Sequence, residues 1–211
     1  MYNDQKIELL RTCQKMRELE MVIGSSGNVS TRAGEHVVIT PSGIPYLKMR
    51  AADAVVVDLD ANIVEGDHKP SMETPTHLNI YRNHEEVRAI VHSHSVYASA
   101  LAALRKQLPP VIDEIIPSLG GNIRVAEYGI PGTSELAENV LAALDDRSGV
   151  LLANHGSLAI GPSLETAFHN AVLIERACKI YIIGSTMGDL HILPKEAQEV
   201  ERKMWESQSK T

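Results

Sequence analysis

Basic clusters, aromatic runs and long apolar stretches are missing from this chain, and each absence removes a class of function. Twenty Lys and Arg face 27 Asp and Glu, for a formal charge of -7, and the aromatic residues are one Trp, one Phe and six Tyr. Nothing resembles a basic patch interleaved with aromatics, so a nucleic-acid partner is not expected. A small anionic substrate stays open, because a local anion site needs only a few donors. The longest apolar runs are far too short to cross a bilayer. The polar start Met1-Tyr2-Asn3-Asp4-Gln5-Lys6 leads straight into a helical pattern, unlike a signal peptide. Cys13 and Cys178 both fall inside predicted helices without metal-ligand spacing. Reduced thiols, no membrane partner and a cytoplasmic location are the expectation.

The composition that remains, 44% hydrophobic and 22% charged over 211 residues, is that of a globular chain with a substantial core. Ile7, Leu10, Cys13, Met16 and Leu19 recur at helical spacing over residues 4–20, with Asn3 as the expected cap. Gly24 to Ser30 reads as a small-residue loop. Strands are expected at 36–40 and 54–58, the second turning at Asp60-Ala61-Asn62 into a short partner with Ile63 and Val64. Pro70-Ser71 opens a helix to about Arg82, with Pro75 tolerable only in its first turn. Further strands are expected at 87–91, 123–126, 150–153 and 157–160. Further helices should follow Ser95, Thr133 or Ser134, and Pro162-Ser163, and Pro194 starts a last amphipathic segment. Early hairpins with scattered helices and no linker predict a single α/β domain over 1–211, its largely antiparallel sheet covered by helices.

Three histidines and a glutamate carry the chemistry. In an extended segment residues i and i+2 share a face, so His92 and His94 can aim at one point beyond the apolar 87–91 strand. His155 also follows an apolar strand and precedes a glycine that permits a sharp turn. Glu73 lies where a helix begins and a carboxylate is favoured. Three neutral imidazoles leave a zinc ion its double charge and an open position, as in catalytic sites, and a nearby carboxylate can then act as acid or base. Manganese, iron or cobalt suit the same ligands. His77, one turn after Glu73, suits a supporting or packing role better than ligation.

Two glycine and serine loops, Gly24-Ser25-Ser26-Gly27-Asn28 and Thr40-Pro41-Ser42-Gly43, lack the Walker A ending. Tight turns account for either alone. Together with Ser71 they offer hydroxyls and backbone N–H groups that could cradle a phosphate without many cations.

The ordered set Gly27-Asn28-Val29-Ser30, Thr40-Pro41-Ser42-Gly43-Ile44-Pro45-Tyr46, Lys69-Pro70-Ser71-Met72-Glu73, Val91-His92-Ser93-His94, Gly132-Thr133-Ser134-Glu135-Leu136 and Asn154-His155-Gly156 resembles the class II aldolase/adducin-head superfamily. The match is closest to its L-fuculose-1-phosphate aldolase branch and runs from about Cys13 to Ile183. The resemblance implies an αβα domain in a cyclic homotetramer with active sites between subunits. It implies zinc on His92, His94 and His155, with Glu73 ligating the empty site and moving off to act as acid/base when substrate binds. Asn28, Ser42, Gly43 and Ser71 would hold the substrate phosphate, with Gly27 in the same loop and Ser25 or Ser26 contributing.

The implied reaction is retro-aldol cleavage of a small ketose 1-phosphate to dihydroxyacetone phosphate and an aldehyde. Two departures bear on the substrate. The branch places a tyrosine in the segment matching Ile112-Asp113-Glu114-Ile115, where this chain offers Glu114 or Asp113 as a second catalytic acid or a solvated loop acid. Met72 replaces a serine that often follows the first phosphate-binding one. L-Fuculose 1-phosphate and 5-deoxy or methylthio pentulose 1-phosphates are all compatible. Pentulose-phosphate 4-epimerases and methylthioribulose-1-phosphate dehydratases share the metal site, and an adducin-like head would be a non-catalytic interaction module.

Overall fold

The computed structural model describes residues 2–208. Its elements in chain order are α1 (Asn3–Glu18), β1 (Asn28–Ala33), β2 (His36–Ile39), β3 (Val55–Val57), β4 (Ile63–Glu65), α2 (Thr74–Asn83), β5 (Ala89–Ser93), α3 (Val96–Ala103), α4 (Ile115–Leu119), β6 (Val125–Ala126), α5 (Ser134–Leu144), β7 (Gly149–Leu152), β8 (Gly156–Gly161), α6 (Leu164–Met187) and α7 (Lys195–Gln208). The strands form one eight-stranded sheet in the order β4-β3-β2-β1-β5-β8-β7-β6. Every neighbouring pair is antiparallel except β6–β7. The fold is thus mixed α/β with a mostly antiparallel sheet flanked by helices.

Strand periodicity sorts the core into two halves, because successive side chains leave opposite faces. Val38, Val56, Val91, Leu151 and Ala159 share one cluster with Leu9, Cys13 and Met16 of α1, Leu101 of α3, Ile115 of α4 and Ile174 of α6. Their neighbours Val37, Ile39, Val55, Val57, Ile90, Val150 and Leu158 turn the other way, onto Leu78 and Tyr81 of α2 and Val140 of α5. Both faces are dry, and each such aliphatic side chain removed from water contributes about 1.5–3 kcal/mol. Both cysteines are buried free thiols. No helix among the described residues is long and apolar enough to cross a membrane.

Three local expectations change. Asn28 to Ser30, read as loop, begins β1, which pairs with β2 on one side and β5 on the other. Asn28, Ser30 and Thr31 are buried with their side chains hydrogen-bonded, so the apolar run that marks the other strands is absent. The α1 cap is Tyr2 rather than Asn3, which is already helical, and no side-chain cap bond forms. The second helix starts at Thr74, four residues after Pro70, which puts Glu73 at its N-cap and Pro75 in its first turn.

Candidate metal centre and anion cradle

Four side chains converge from three separate segments. β5 supplies His92, and His94 follows one residue beyond the strand, its amide held 3.1 Å from the Met21 carbonyl. The β7–β8 connection supplies His155, and Asn154 there adopts the left-handed conformation (φ 55°) that asparagine tolerates better than most residues. A Cβ on Gly156 would run into the Ser93 carbonyl oxygen. That glycine therefore allows the two histidine-bearing segments to lie side by side. Gly27 does the same on the other flank: its φ is +71°, and a Cβ there would stand 2.7 Å from the His92 carbonyl. Glu73 is held by its own backbone N–H, which donates to Ser71 Oγ at 3.2 Å.

The three imidazole rings form a nearly equilateral triangle, with centroids 4.8, 4.7 and 4.8 Å apart. His92 Nδ1 lies 2.9 Å from the Ser157 carbonyl, which can only accept, so Nδ1 carries the proton and Nε2 presents its lone pair. That Nε2 is 3.0 Å from His94 Nε2 and 3.0 Å from Glu73 Oε2, while His155 Nε2 is 3.4 Å from Glu73 Oε1. Donors bound tetrahedrally at about 2.1 Å stand about 3.4 Å apart, so these separations suit one shared ion. Lone pairs aimed at a carboxylate and at each other call for a cation between them. The donor set Glu73, His92, His94 and His155, all within 4.8 Å of one another, fits a divalent metal. His155 Nδ1 is buried without a hydrogen-bond partner among the described residues.

Electrostatics agree with that chemistry. Burial opposes a charge on Glu73, yet His92, His155 and the Asn28 amide outweigh it and hold the carboxyl far below its usual range. Burial also opposes a charge on His92, but Glu73 and the Ser157 carbonyl raise it. Burial takes His94 and His155 down to about 4, with the neighbouring His92 charge adding to the effect. At neutral pH Glu73 offers an anionic oxygen and His94 and His155 offer lone pairs, while His92 holds a proton more readily than a free imidazole until a cation displaces it.

A buried polar line backs Glu73. Asn28 Nδ2 donates to Glu73 Oε2 at 2.6 Å, and Asn28 Oδ1 lies 2.6 Å from His77 Nε2. His77 Nδ1 is 2.6 Å from Ser30 Oγ, which is 2.8 Å from the Tyr81 hydroxyl. Burial lowers His77 to about 3, so its ring is neutral. Sequence reasoning put His77 beside the site but missed Ser30 and Tyr81. No local signal marks them, because Ser30 on β1 and Tyr81 on α2 meet across 51 residues of sequence.

The loops read as a phosphate cradle come together beside this cluster. Ser42 N–H donates to the Lys69 carbonyl and Ser71 N–H to the Thr40 carbonyl, at 2.9 and 3.0 Å, bringing Ser42-Gly43 alongside Ser71. Tyr46 ties in the first loop through its backbone N–H to Gly24 and its hydroxyl to the Gly27 carbonyl, at 3.1 and 2.9 Å. Ser25, Ser42 and Gly43 are exposed, Ser71 is buried, and Ser26 Oγ accepts from the Ile23 amide at 3.0 Å. Asn28 faces Glu73 and His77 rather than solvent. Glu114 is half exposed and pairs with Arg176 at 2.7 Å; neither it nor Asp113 belongs to the metal-competent group.

A family model described as Class II Aldolase and Adducin N-terminal domain matches residues 7–182. A Bacillus thuringiensis protein named 5-deoxy-D-ribulose 1-phosphate aldolase is 36% identical over 204 residues, covering 96% of this chain and 95% of its own length. A Methanococcus maripaludis protein named L-fuculose phosphate aldolase is 36% identical over 183 residues, covering 85% and 97%. Among solved structures, one named L-fuculose 1-phosphate aldolase superposes with a TM-score of 0.92 at 38% identity, covering 96% of both chains.

Proposed function

Because the chain belongs to the class II aldolase and adducin N-terminal domain family, as an aldolase of the fuculose-phosphate and deoxyribulose-phosphate type, we propose that it cleaves a small ketose 1-phosphate to dihydroxyacetone phosphate and an aldehyde. The observation that carries this reading is the complete convergent donor set of Glu73, His92, His94 and His155. A non-catalytic adducin-like head would have no use for it. The substrate is L-fuculose 1-phosphate or a 5-deoxy or methylthio pentulose 1-phosphate, and the exposed, apolar Met72 beside Glu73 favours an aldehyde with an apolar end.

In the cleavage direction a base takes the C4 hydroxyl proton, the freed O–H pair becomes the aldehyde carbonyl, and the C3–C4 pair stays on the triose phosphate as an ene-diolate. A zinc ion on His92, His94 and His155 would supply the charge stabilisation for that ene-diolate, so no lysine Schiff base is needed. Glu73, ionised at rest, would pick up a proton from solvent once displaced toward substrate and deliver it to C3, while the proton taken from the C4 hydroxyl returns to solvent. The segments Gly24–Asn28, Ser42–Gly43 and Ser71 hold the phosphate through hydroxyls and backbone N–H groups, and Glu114, from a neighbouring subunit, serves the C4 hydroxyl. Exposed Ile23, Leu47, Met72 and Val96 flank the site segments in sequence, which supports a homotetramer whose subunits complete each other's sites. The enzyme works in the cytoplasm, in keeping with its free thiols.

The test offers purified protein a panel of ketose 1-phosphates and identifies the products. Dihydroxyacetone phosphate with the matching aldehyde supports an aldolase. An epimerised pentulose phosphate, or a dehydrated product without triose phosphate, replaces it with the epimerase or dehydratase that shares this site.

A further inference from the structure

Beyond Asn28, the buried side chains behind Glu73 (His77, Ser30 and Tyr81) belong neither to the metal-competent group nor to the phosphate cradle, yet they are connected from end to end. From Glu73 the line runs through Asn28, His77 and Ser30 to Tyr81, with steps of 2.6, 2.6, 2.6 and 2.8 Å. Asn28 is 3% exposed, and Ser30, His77 and Tyr81 are 0% exposed. Water has no access to correct a wrong orientation there, so each hydrogen must be accounted for within the protein.

Two arrangements satisfy such a line: all hydrogens point toward Glu73, or all point away. In the second, His77 carries its proton on Nδ1 and Asn28 turns its carbonyl oxygen onto the Glu73 carboxylate, acceptor against acceptor. An ionised Glu73 rejects that. In the first, Tyr81 O–H donates to Ser30, Ser30 O–H donates to His77 Nδ1, His77 Nε2–H donates to Asn28 Oδ1, and the Asn28 NH2 donates to Glu73. Each link of the line then has one donor and one acceptor.

The amide is the weak link. Oxygen and NH2 of an asparagine have nearly the same size, so packing alone does not decide which faces Glu73. An Nε2–H opposite can be satisfied only by the oxygen, and it removes the ambiguity.

We infer that His77 is a positioning residue: its Nε2–H, with Nδ1 accepting from Ser30, locks the Asn28 amide with its NH2 toward Glu73 and so fixes where that carboxylate rests among the three metal-competent histidines. The inference rests on the reading of Glu73 as a metal ligand, but it concerns hydrogen positions and metal retention rather than turnover. His77 occupies the buried face of α2 one turn from Glu73, so the helix that starts at the carboxylate also carries the group that orients its support.

The test begins with the intact protein labelled with nitrogen-15 in histidine. Long-range proton–nitrogen correlation should show His77 Nε2 protonated and Nδ1 bare, with zinc bound and after its removal. Two variants follow. His77→Met keeps the volume but removes the donor, whereas His77→Gln places an amide N–H near the original Nε2. Zinc release to a chelator should be about 10–100-fold faster from His77→Met and within about threefold of the parent in His77→Gln. A proton on Nδ1, or unchanged zinc release from His77→Met, would overturn the inference. If His77→Met does not fold, the parent's tautomer and the Gln variant's zinc retention decide it. A chain with the expected tautomer and zinc behaviour that cleaves no ketose phosphate would sink the proposed reaction and leave this inference standing.

Discussion

Asn28 and His92 are direct partners in the β1–β5 ladder, and both reach the same oxygen of Glu73, at 2.6 and 3.0 Å. Strand register therefore sets the carboxylate between a neutral donor and a metal-competent imidazole. The site is built on sheet geometry, and only Glu73 and His155 come from outside the two paired strands and their immediate continuation.

Removing the charge of Glu73 while keeping its shape separates the two roles proposed for it, metal ligand and acid/base. Glu73→Gln can still accept from the Asn28 amide and offer a carbonyl oxygen to the metal, but it cannot carry a proton at neutral pH. Turnover should fall about 10²–10⁴-fold. Metal analysis of the same sample should find zinc still bound; its loss would mean that Glu73 is chiefly a ligand.

The close approach of β5 to the β7–β8 turn makes Gly156 intolerant of a side chain. Gly156→Ala pushes a methyl group into a backbone oxygen that no rotamer change can relieve, so stability should drop by about 3 kcal/mol or more. Gly24→Ala serves as control. It has a φ of +64° but open space around it, and should cost about 1–2 kcal/mol. Urea unfolding of both variants compares them directly.

Much of this arrangement is legible in the sequence, and the exceptions share a cause. His92, His94 and His155 can be placed because apolar strands lead into them, and the short apolar runs of β2, β3, β5, β7 and β8 survive in the fold as strands buried on both faces. β1 is not legible, because Asn28, Ser30, Thr31 and Arg32 leave none of the continuous apolar run that marks the other buried strands. Their hydrogen-bond partners, His77 and Tyr81 for the first two and the Arg88 and Tyr81 carbonyls for the others, lie 49–57 residues away in sequence. A short helix such as α4, five residues long, is set by packing against α6 and α7 rather than by its own periodicity. The hydrogen-bond line behind Glu73 joins β1 to α2, and local pattern cannot reveal a contact of that span.

Ser71 links the cradle to the metal centre, since its hydroxyl accepts from the Glu73 amide while its segment adjoins Ser42. Ser71→Ala removes a hydroxyl proposed to meet the phosphate and leaves that amide unpaired. The Michaelis constant for the sugar phosphate should rise about tenfold, corresponding to about 1.4 kcal/mol. Steady-state kinetics check this; a loss confined to turnover would place Ser71 with the chemistry instead of the phosphate.

Acid should destabilise the metal-free protein. The folded state holds His77 near 3, His94 and His155 near 4, and Glu73 below its usual range. The unfolded chain takes up protons on those histidines near 6.5, so stability is present above that value and is lost as pH falls toward the folded values. His77 alone withdraws about 2 kcal/mol between pH 7 and pH 5. His92, raised in the fold, contributes the opposite sign, present below 6.5 and lost as pH rises through its folded value. Three groups outweigh one, and urea midpoints for the chelator-treated protein should fall steadily over this range. A flat profile would show that these rings are not buried neutral.

The most direct measurement follows dihydroxyacetone phosphate release from a cleavable ketose 1-phosphate while chelator-stripped protein is titrated with zinc. Stripped protein should release none, and activity should return linearly and saturate at one zinc per chain, with no return in His94→Ala. Full cleavage by stripped protein, or equal activity in His94→Ala, would contradict zinc-dependent cleavage at this site.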